Sequence, residues 1–526
     1  MTSNPSRRAV LGGVSLGALT AFSASACNGS GPAQEARDVL RVGVQSLPST
    51  LDANGSISNS GIQVYYNVYD TLILRDTSSD EPAFLPGLAQ EWTQVSDLVW
   101  EFQLRSGVTF HDGSPFTAED VAYSMNRVIN EEDPSYATGH AYMLSNFNEF
   151  EVVDELTVRV ETKRTEPLLE HLLSDPNAGI SAKAYTEEVG LDQAANEPVA
   201  TGPYQVTAFT QDESLTLEAF ADHWAGPPPY QSITYLAIPE IASRITALKN
   251  DEVDLITNIP PDQEGLLAGD DRVKLVGEVL DLYHVYRFNM SNPNTDDPAL
   301  RAALDYAIDR EALTASLWEG KAEPATTYQF TTYAEELQFP DRVDISYDPD
   351  RARALVAESG YNGETIRIFN TTDYYTYADL AAQAIVDMWA DIGVTGELVQ
   401  VDSVSDSDNE ELEIRTWSNP LYFPDPIGYI ERHWAPDGEA AQLGHFQTTE
   451  AYEEAFATAR YDVDPQARAD ALAQIYDYYR EATPFLYLYK PHESLGMRAN
   501  IEYVPPQTLR PYCLSFRSED ISEQTT

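Results

Sequence analysis

Serine, histidine and acidic side chains at fixed intervals are what a bond-making or metal-holding site needs, and three stretches of this chain approach such a pattern. Gly13-Val-Ser-Leu-Gly17 matches the elbow that exposes a nucleophilic serine. It lies inside an apolar N-terminal run, however, without the strand–turn–helix setting that makes the elbow work. Asp406-Ser-Asp-Asn-Glu-Glu411 opens like a calcium loop, but position six is Glu411 where the sharp turn needs glycine, and position twelve is Trp417 rather than an acid. Phe110-His-Asp-Gly113 has the residue types of a catalytic or metal fragment, yet its glycine after aspartate is equally a hairpin signal following the strand at Trp100. The body carries no HExxH, CxxC or phosphate-cradling glycine loop, and its eight histidines are scattered without ligand spacing. A secreted hydrolase would need a nucleophile–base pair or a metal set, and neither is offered by motif. The expectation is a protein that binds rather than an enzyme, with no cofactor and no metal.

Charge narrows the partners. The 526 residues include 32 basic and 85 acidic side chains, a formal charge of −53. Nucleic acid exchanges its counterions for Lys and Arg, and anionic lipid surfaces attract polybasic segments, so both are disfavoured. Hydrophobic residues make up 43% and aromatic residues 11%, enough for large packed cores and two to four domains. Six of the 32 basic residues are Lys, which suits a salt-rich medium or reflects skewed codon usage.

The first 26 residues read as an export signal. Ser6-Arg7-Arg8 precedes an uncharged, mostly apolar stretch that ends in small residues at Ala26, too short and too rich in Gly and Ser for a comfortable membrane span. The paired arginines resemble the twin-arginine signal. Ala24-Ser-Ala-Cys27 resembles a lipobox with Cys27 as the lipidated mature N-terminus; ordinary cleavage after Ala26 is the alternative. Residues 27–37 then have linker composition. Cys27 and Cys513 are the two cysteines, which excludes a disulfide framework and leaves Cys513 as a small buried side chain. Losing Arg7 and Arg8 makes the mature chain more negative by two.

The elements that must position any site alternate between strand and helix. Val39–Val44, Val99–Leu104 and Leu156–Glu161 read as strands, and Tyr204–Phe209 with Leu215–Glu218 as a hairpin. Gln63–Leu74 has helical spacing. Thr117-Ala-Glu-Asp120 is a capping box that opens a helix. Asp297-Pro298 and Asp348-Pro349 place proline in the first turn of two more helices, the second ended by Gly360. Ala242–Asn250 and Leu380–Ile392 are further helices, followed by strands at Val253–Ile256 and Val394–Val401, and Asp402–Glu413 reads as a solvated acidic loop. Units of this kind imply α/β layers.

An ordered set of landmarks resembles extracellular solute-binding protein family 5, the oligopeptide-, dipeptide- and nickel-binding receptors of ABC importers. The carrying residues are Asn67-Val-Tyr-Asp-Thr-Leu72, Pro86-Gly-Leu-Ala-Gln-Glu-Trp92, Trp100 to Gly113, Pro115 to Val121, Thr201-Gly-Pro-Tyr204, Asp222-His-Trp224, Arg301 to Arg310 and Ala352 to Tyr361. The resemblance implies a two-lobed, class II periplasmic-binding-protein fold with an additional inserted domain. It places lobe I at 38–70, 190–280 and 487–520, the inserted domain at 71–189, lobe II at 281–486 and a tail at 521–526. It also implies a site. Peptide-binding members follow a cleft Trp with an acid that pairs with the ligand's amino terminus, and a turn ending in Asp/Glu-Pro. In Thr416-Trp-Ser-Asn-Pro-Leu-Tyr-Phe-Pro-Asp-Pro426 the spacing is two residues longer, and Tyr422 stands where that acid is expected. Metal-chelate binders present Trp and Tyr here, with an aromatic matched by Tyr142, while their carboxylate-holding Arg has no counterpart near Asp175-Pro-Asn177. The candidate ligand-binding residues are therefore Trp417, Asn419, Tyr422, Asp425 and Tyr142, with Cys27 for lipid.

The function these readings imply is a lipid-tethered monomeric receptor on the outer face of the cell membrane. It captures a short peptide or peptide-sized polar solute, or alternatively a metal chelate, and presents it to the permease of an ABC importer.

Overall fold

Aspartate before proline starts helices in this chain because the carboxylate accepts the orphan amides of the first turn while proline has no amide to waste there. Asp297 accepts from Ala299 N–H at 2.8 Å and Asp348 from Arg351 N–H at 2.8 Å. Asp464-Pro465 repeats the device, with Ala467 N–H at 2.9 Å, and opens the Pro465–Ala482 helix. At the Ala118–Ile129 helix the Asp120 carboxylate accepts from Thr117 N–H at 3.0 Å. The computed structural model describes residues 37–517 apart from 77–82, 134, 138–139, 373, 403–411 and 504–512. The export signal, Cys27, the tether and the tail lie outside the described residues, as does most of the acidic loop.

The fold is mixed α/β and its strands form three principal sheets. A seven-stranded sheet runs in the order Val273–Val279, His492–Arg498, Leu255–Ile256, Arg37–Val44, Tyr230–Ala237, Ser214–Ala219 and Tyr204–Thr210. A six-stranded sheet runs Glu323–Pro324, Phe485–Lys490, Leu282–Phe288, Ile414–Pro420, Thr365–Thr371 and Thr395–Val401. Between residues 89 and 162 the chain builds an antiparallel four-stranded sheet. Arg37–Val44 lies parallel to Tyr230–Ala237, and Thr365–Thr371 parallel to Thr395–Val401. The Ala378–Asp391 helix forms the second of these crossovers, and its Trp389 indole donates to the Leu304 carbonyl at 3.0 Å.

Two adjacent segments link the larger sheets. Val273–Val279 continues into Leu282–Phe288, and Phe485–Lys490 into His492–Arg498, each strand changing sheet within one or two residues. Leu280 N–H donates to the Pro491 carbonyl at 2.9 Å where the segments cross. Residues 487–490, expected with the first lobe, pair instead with Leu282–Phe288 in the six-stranded sheet. Phe485–Lys490 is buried along its whole length between Glu323–Pro324 and Leu282–Phe288, and the crossover falls at Pro491.

Other expectations shift for identifiable reasons. The helix expected over Gln63–Leu74 is Asn59–Val68, and a strand follows at Ile73–Arg75. It stops because Asp70 is drawn into a buried cluster: Arg517 pairs with it, Trp224 Nε1–H donates at 2.8 Å, and His223 lies at 3.3 Å. Gly202 packs so tightly there that a Cβ would sit 2.4 Å from the Val68 carbonyl. Glu413, expected in the solvated loop, is buried and accepts from Arg367 Nε at 2.9 Å and Nη2 at 2.9 Å. Cys513 is buried.

Candidate functional site

The Ile414–Pro420 strand sits between Leu282–Phe288 and Thr365–Thr371. Side chains alternate across a strand, so Arg415, Trp417 and Asn419 share one face and Thr416 and Ser418 the other. Trp417 stands in register with Val285, two residues from Arg287 on the neighbouring strand. The turn after Pro420 then brings back the Ile427–Trp434 helix, whose last turn carries Arg432 and His433.

These elements bring three guanidinium groups around one indole. Arg415 lies over the Trp417 ring with Cζ 4.0 Å from the centroid, Arg287 at 5.8 Å and Arg432 at 5.8 Å. Arg432 also faces Tyr142 at 5.6 Å and Tyr422 at 6.0 Å, and donates to the Tyr422 hydroxyl. Trp417 Nε1–H donates to His433 Nε2 at 3.1 Å, which fixes the tautomer with the proton on Nδ1. That nitrogen lies 3.6 Å from Glu439, whose other oxygen is 3.3 Å from Arg287 and 3.9 Å from Arg415. Burial pushes His433 down to about 4, so the ring is neutral at pH 7. Burial also raises the Glu439 carboxyl, but His433, Arg287 and Arg432 outweigh it and hold the group well below the usual carboxylate range. Positive charge is thus gathered on aromatic faces around a half-buried indole.

A separate cavity of about 120 Å³ lies between residues near the two larger sheets. Gln45, Ser58 and Gln63, near the Arg37–Val44 strand and the Asn59–Val68 helix, line one side; Tyr374, Tyr375 and Thr376, just past the Thr365–Thr371 strand, line the other. Tyr375 and Ser418 share a hydrogen bond of 2.9 Å, tying the cavity wall to the Trp417 strand. Tyr374 packs edge-on to Tyr375, with ring centroids 4.6 Å apart. Two further contacts cross from the side of the seven-stranded sheet: Tyr377 donates to Asp262, and Lys321 pairs with Glu264.

The five residues singled out from sequence separate into two groups. Trp417, Tyr422 and Tyr142 converge on Arg432. Asn419 instead donates to the Tyr487 hydroxyl at 2.8 Å, fully buried in the sheet. Asp425 accepts from Ile427 N–H at 2.9 Å and from Arg468 Nη2 at 2.7 Å, so its carboxylate holds the turn together and lies outside the Arg432 ring. Sequence reasoning missed Arg415, Arg432, Arg287, His433 and Glu439. The spacing of Arg415 two residues before Trp417, on a strand, was the one signal that pointed to any of them.

The fragments resembling catalytic motifs are structural. His111 holds two segments together, Nε2–H donating to the Gly202 carbonyl at 2.9 Å and Nδ1 accepting from Ala200 N–H at 3.3 Å. Burial lowers its pKa to about 4, and Gly113 supplies the positive φ of the following turn. Arg301 spends its guanidinium on the Ala482, Thr295 and Asp296 carbonyls, and Arg310 pairs with Asp305.

Comparison with known proteins settles the kind of molecule. Residues 83–441 match the middle region of the bacterial extracellular solute-binding proteins, family 5. The chain belongs to that family. A glutathione-binding protein GsiB of Salmonella typhimurium is 30% identical over 381 residues, which cover 71% of each chain. The Helicobacter pylori ABC transporter-associated periplasmic binding protein DppA, in complex with the peptide STSA, superposes with a TM-score of 0.81 at 20% identity, covering 92% of this chain and 98% of that one. AgaA of A. tumefaciens R10, in complex with agropinic acid, gives 0.80 at 21% identity, covering 92% and 98%. The fold is thus the two-lobed fold of family 5, a family of solute-binding receptors that serve importers. No helix among the described residues is long and apolar enough to cross a membrane.

Proposed function

We propose that this protein is the capture component of an ABC importer, tethered outside the cell membrane through lipid on Cys27, and that it hands a peptide-sized polar solute to the permease. The observation that carries the reading is the cavity walled on one side by Gln45, Ser58 and Gln63 and on the other by Tyr374 and Tyr375, the latter hydrogen-bonded to Ser418 of the Ile414–Pro420 strand. On this reading the seven-stranded sheet is lobe I, the six-stranded sheet lobe II and the segment around the four-stranded sheet the inserted domain.

A guest that touches both sides favours the closed arrangement only by its contacts with both, and Leu280 and Pro491 lie where the chain can flex. About 120 Å³ is small beside the roughly 300–1000 Å³ of sites for drug-sized ligands, so a peptide-sized guest requires the halves to part further. Aromatic faces give contact area, and trapped water satisfies polar atoms that no side chain reaches. On this reading the receptor acts as a monomer.

The test is recovery and return. Solute extracted from the purified protein, identified by mass spectrometry, is expected to rebind unaltered and to require this gene for uptake. A solute that emerges cleaved, or uptake unaffected by deletion, overturns the reading. Cys27→Ser is expected to release the protein from membranes while leaving solute binding intact.

A further inference from the structure

Gln63, on the Asn59–Val68 helix, lines the cavity of about 120 Å³ with only 7% of the residue exposed. Its bonds to the Asn67 amide and to the Tyr235 hydroxyl, the latter at 3.0 Å, are accepted by its backbone carbonyl. The side-chain amide itself has no hydrogen-bond partner among the described residues. The root of this side chain is therefore fixed while its polar end is buried and unanswered, which is costly until something from outside completes it. An amide sets two N–H donors beside a carbonyl acceptor. A carboxylate can take the donors but gives nothing to the carbonyl. An ammonium group can donate to the carbonyl but takes nothing from the N–H groups. Two adjacent hydroxyls answer both, one donating to Oε1 and its neighbour accepting from Nε2.

The rest of the wall has the same character. Ser58, Asn59, Asn258, Tyr374 and Tyr375 line it, and no described lining residue carries a formal charge at neutral pH. Arg415 and Arg432 are not among them, and neither is Glu493, which accepts from Asn258 N–H at 2.9 Å. A charged end placed in this cavity would find no counter-charge on the described wall, at high cost. Tyr374 packs edge-on to Tyr375 and is still 42% exposed, which leaves aromatic surface for contact. A ring with C–H faces and hydroxyl edges matches both the aromatic surface and the amides around it.

We infer that this cavity takes a neutral, hydroxyl-rich ring of the kind a saccharide carries, with Gln63 gripping two adjacent hydroxyls and Tyr374 covering a C–H face. This rests on the receptor reading above and narrows its polar solute to uncharged polyols. Because such a guest has no charge, the −53 of the chain neither draws nor repels it, and its affinity is insensitive to salt.

Solute extracted from the purified protein is expected to stay uncharged in electrophoresis at neutral pH. It is expected to lose its ability to rebind after periodate, which cleaves the carbon–carbon bond between adjacent hydroxyls. Maltose, sucrose and lactose are then titrated by calorimetry into the full mature protein, with dialanine as the charged probe of similar size. At least one sugar is expected to bind roughly tenfold tighter than dialanine, and to change less than about twofold between roughly 0.1 and 1 M sodium chloride. Gln63→Leu is expected to weaken that sugar roughly 10- to 100-fold and Tyr374→Ala about tenfold. Should the Leu variant fail to fold, Tyr374→Ala, at an exposed position, still reads the contact. An extracted solute that migrates as an ion or rebinds after periodate, every sugar binding more weakly than dialanine, or unchanged sugar affinity in both variants overturns the inference. The receptor reading fails separately, by cleavage of the solute or by unaffected uptake, whatever the solute's chemical class.

Discussion

Arg460 offers a severe test of the physical picture, because all three of its nitrogens are committed and none is in contact with water. Its Nη1 and Nη2 form a two-pronged pair with Glu166 at 2.6 and 2.7 Å, and Nε reaches Glu431 at 2.7 Å. Glu166 belongs to the segment just after the four-stranded sheet, whereas Arg460 and Glu431 lie on helices that follow the six-stranded sheet's Ile414–Pro420 strand, so one guanidinium fastens two parts of the chain. Glu166 has further donors in Asn146 Nδ2 at 3.0 Å and Leu168 N–H at 3.1 Å. Among the described residues Glu431 has only the arginine, and its second oxygen is buried without a hydrogen bond. Burial, opposed by Arg460, raises the Glu431 carboxyl to about 7 from 4.5.

Arg460→Met keeps the volume and removes the charge, leaving two carboxylates buried, at a cost of about 3–5 kcal/mol. A body of this size has an unfolding entropy of about 1 kcal/mol per degree, so melting followed by circular dichroism should fall by roughly 3–5 °C at pH 8. The sign of the pH dependence follows from Glu431. A carboxyl whose folded pKa is raised contributes stability that is complete below about 4.5 and lost as pH rises through about 7, on the order of 3 kcal/mol. At pH 5 the folded state already holds that proton, so the variant should lose less there than at pH 8. Glu431→Gln should flatten the profile of the unmodified protein between those values. A variant that melts within a degree of the parent at pH 8, or that loses equally at both pH values, refutes the reasoning.

Three further outcomes follow from the geometry. Gly202→Ala should cost at least 1–3 kcal/mol and show as lost soluble protein, because its Cβ meets the Val68 backbone at 2.4 Å and backbone cannot swing aside. Asp425→Asn should lower the melting temperature by weakening the Arg468 pair while leaving solute affinity within twofold, since its carboxylate serves the turn. Trp417→Leu should weaken the extracted solute by roughly tenfold, with the loss of the cation–π and stacking face, while the melting temperature changes little because the indole is only half-buried.

Much of the scaffold was legible in the sequence because its signals are local. Asp297-Pro298, Asp348-Pro349 and the Thr117–Asp120 pair announce helix starts through bonds made within one turn, and alternation along Val99–Leu104 announces a strand with one face inward. The limits were also physical. The end of the Asn59–Val68 helix is set by Arg517, more than four hundred residues away, which claims Asp70. Glu413 reads as one more acid of a polar loop until Arg367, from a parallel strand, neutralises it.

The site shows the same division. Trp417, Tyr422 and Tyr142 could be named from family spacing, but the group that unites them, Arg432, sits on a helix where nothing in its neighbours' spacing marks it. Its aromatic neighbour Tyr142 comes from the turn before the Phe147–Asp154 strand, far away in sequence. Asn419 and Asp425 lie in the right segment, yet alternation and turn chemistry give them to Tyr487 and Arg468.

The claim on which all of this depends is that the two halves joined at Leu280 and Pro491 hold a solute between them. Solution X-ray scattering of the protein stripped of solute, then re-loaded with the solute extracted from it, measures this most directly. The account predicts a larger radius of gyration when stripped and a return to the smaller value on loading; identical scattering in both states, with binding verified by calorimetry in the same sample, contradicts it.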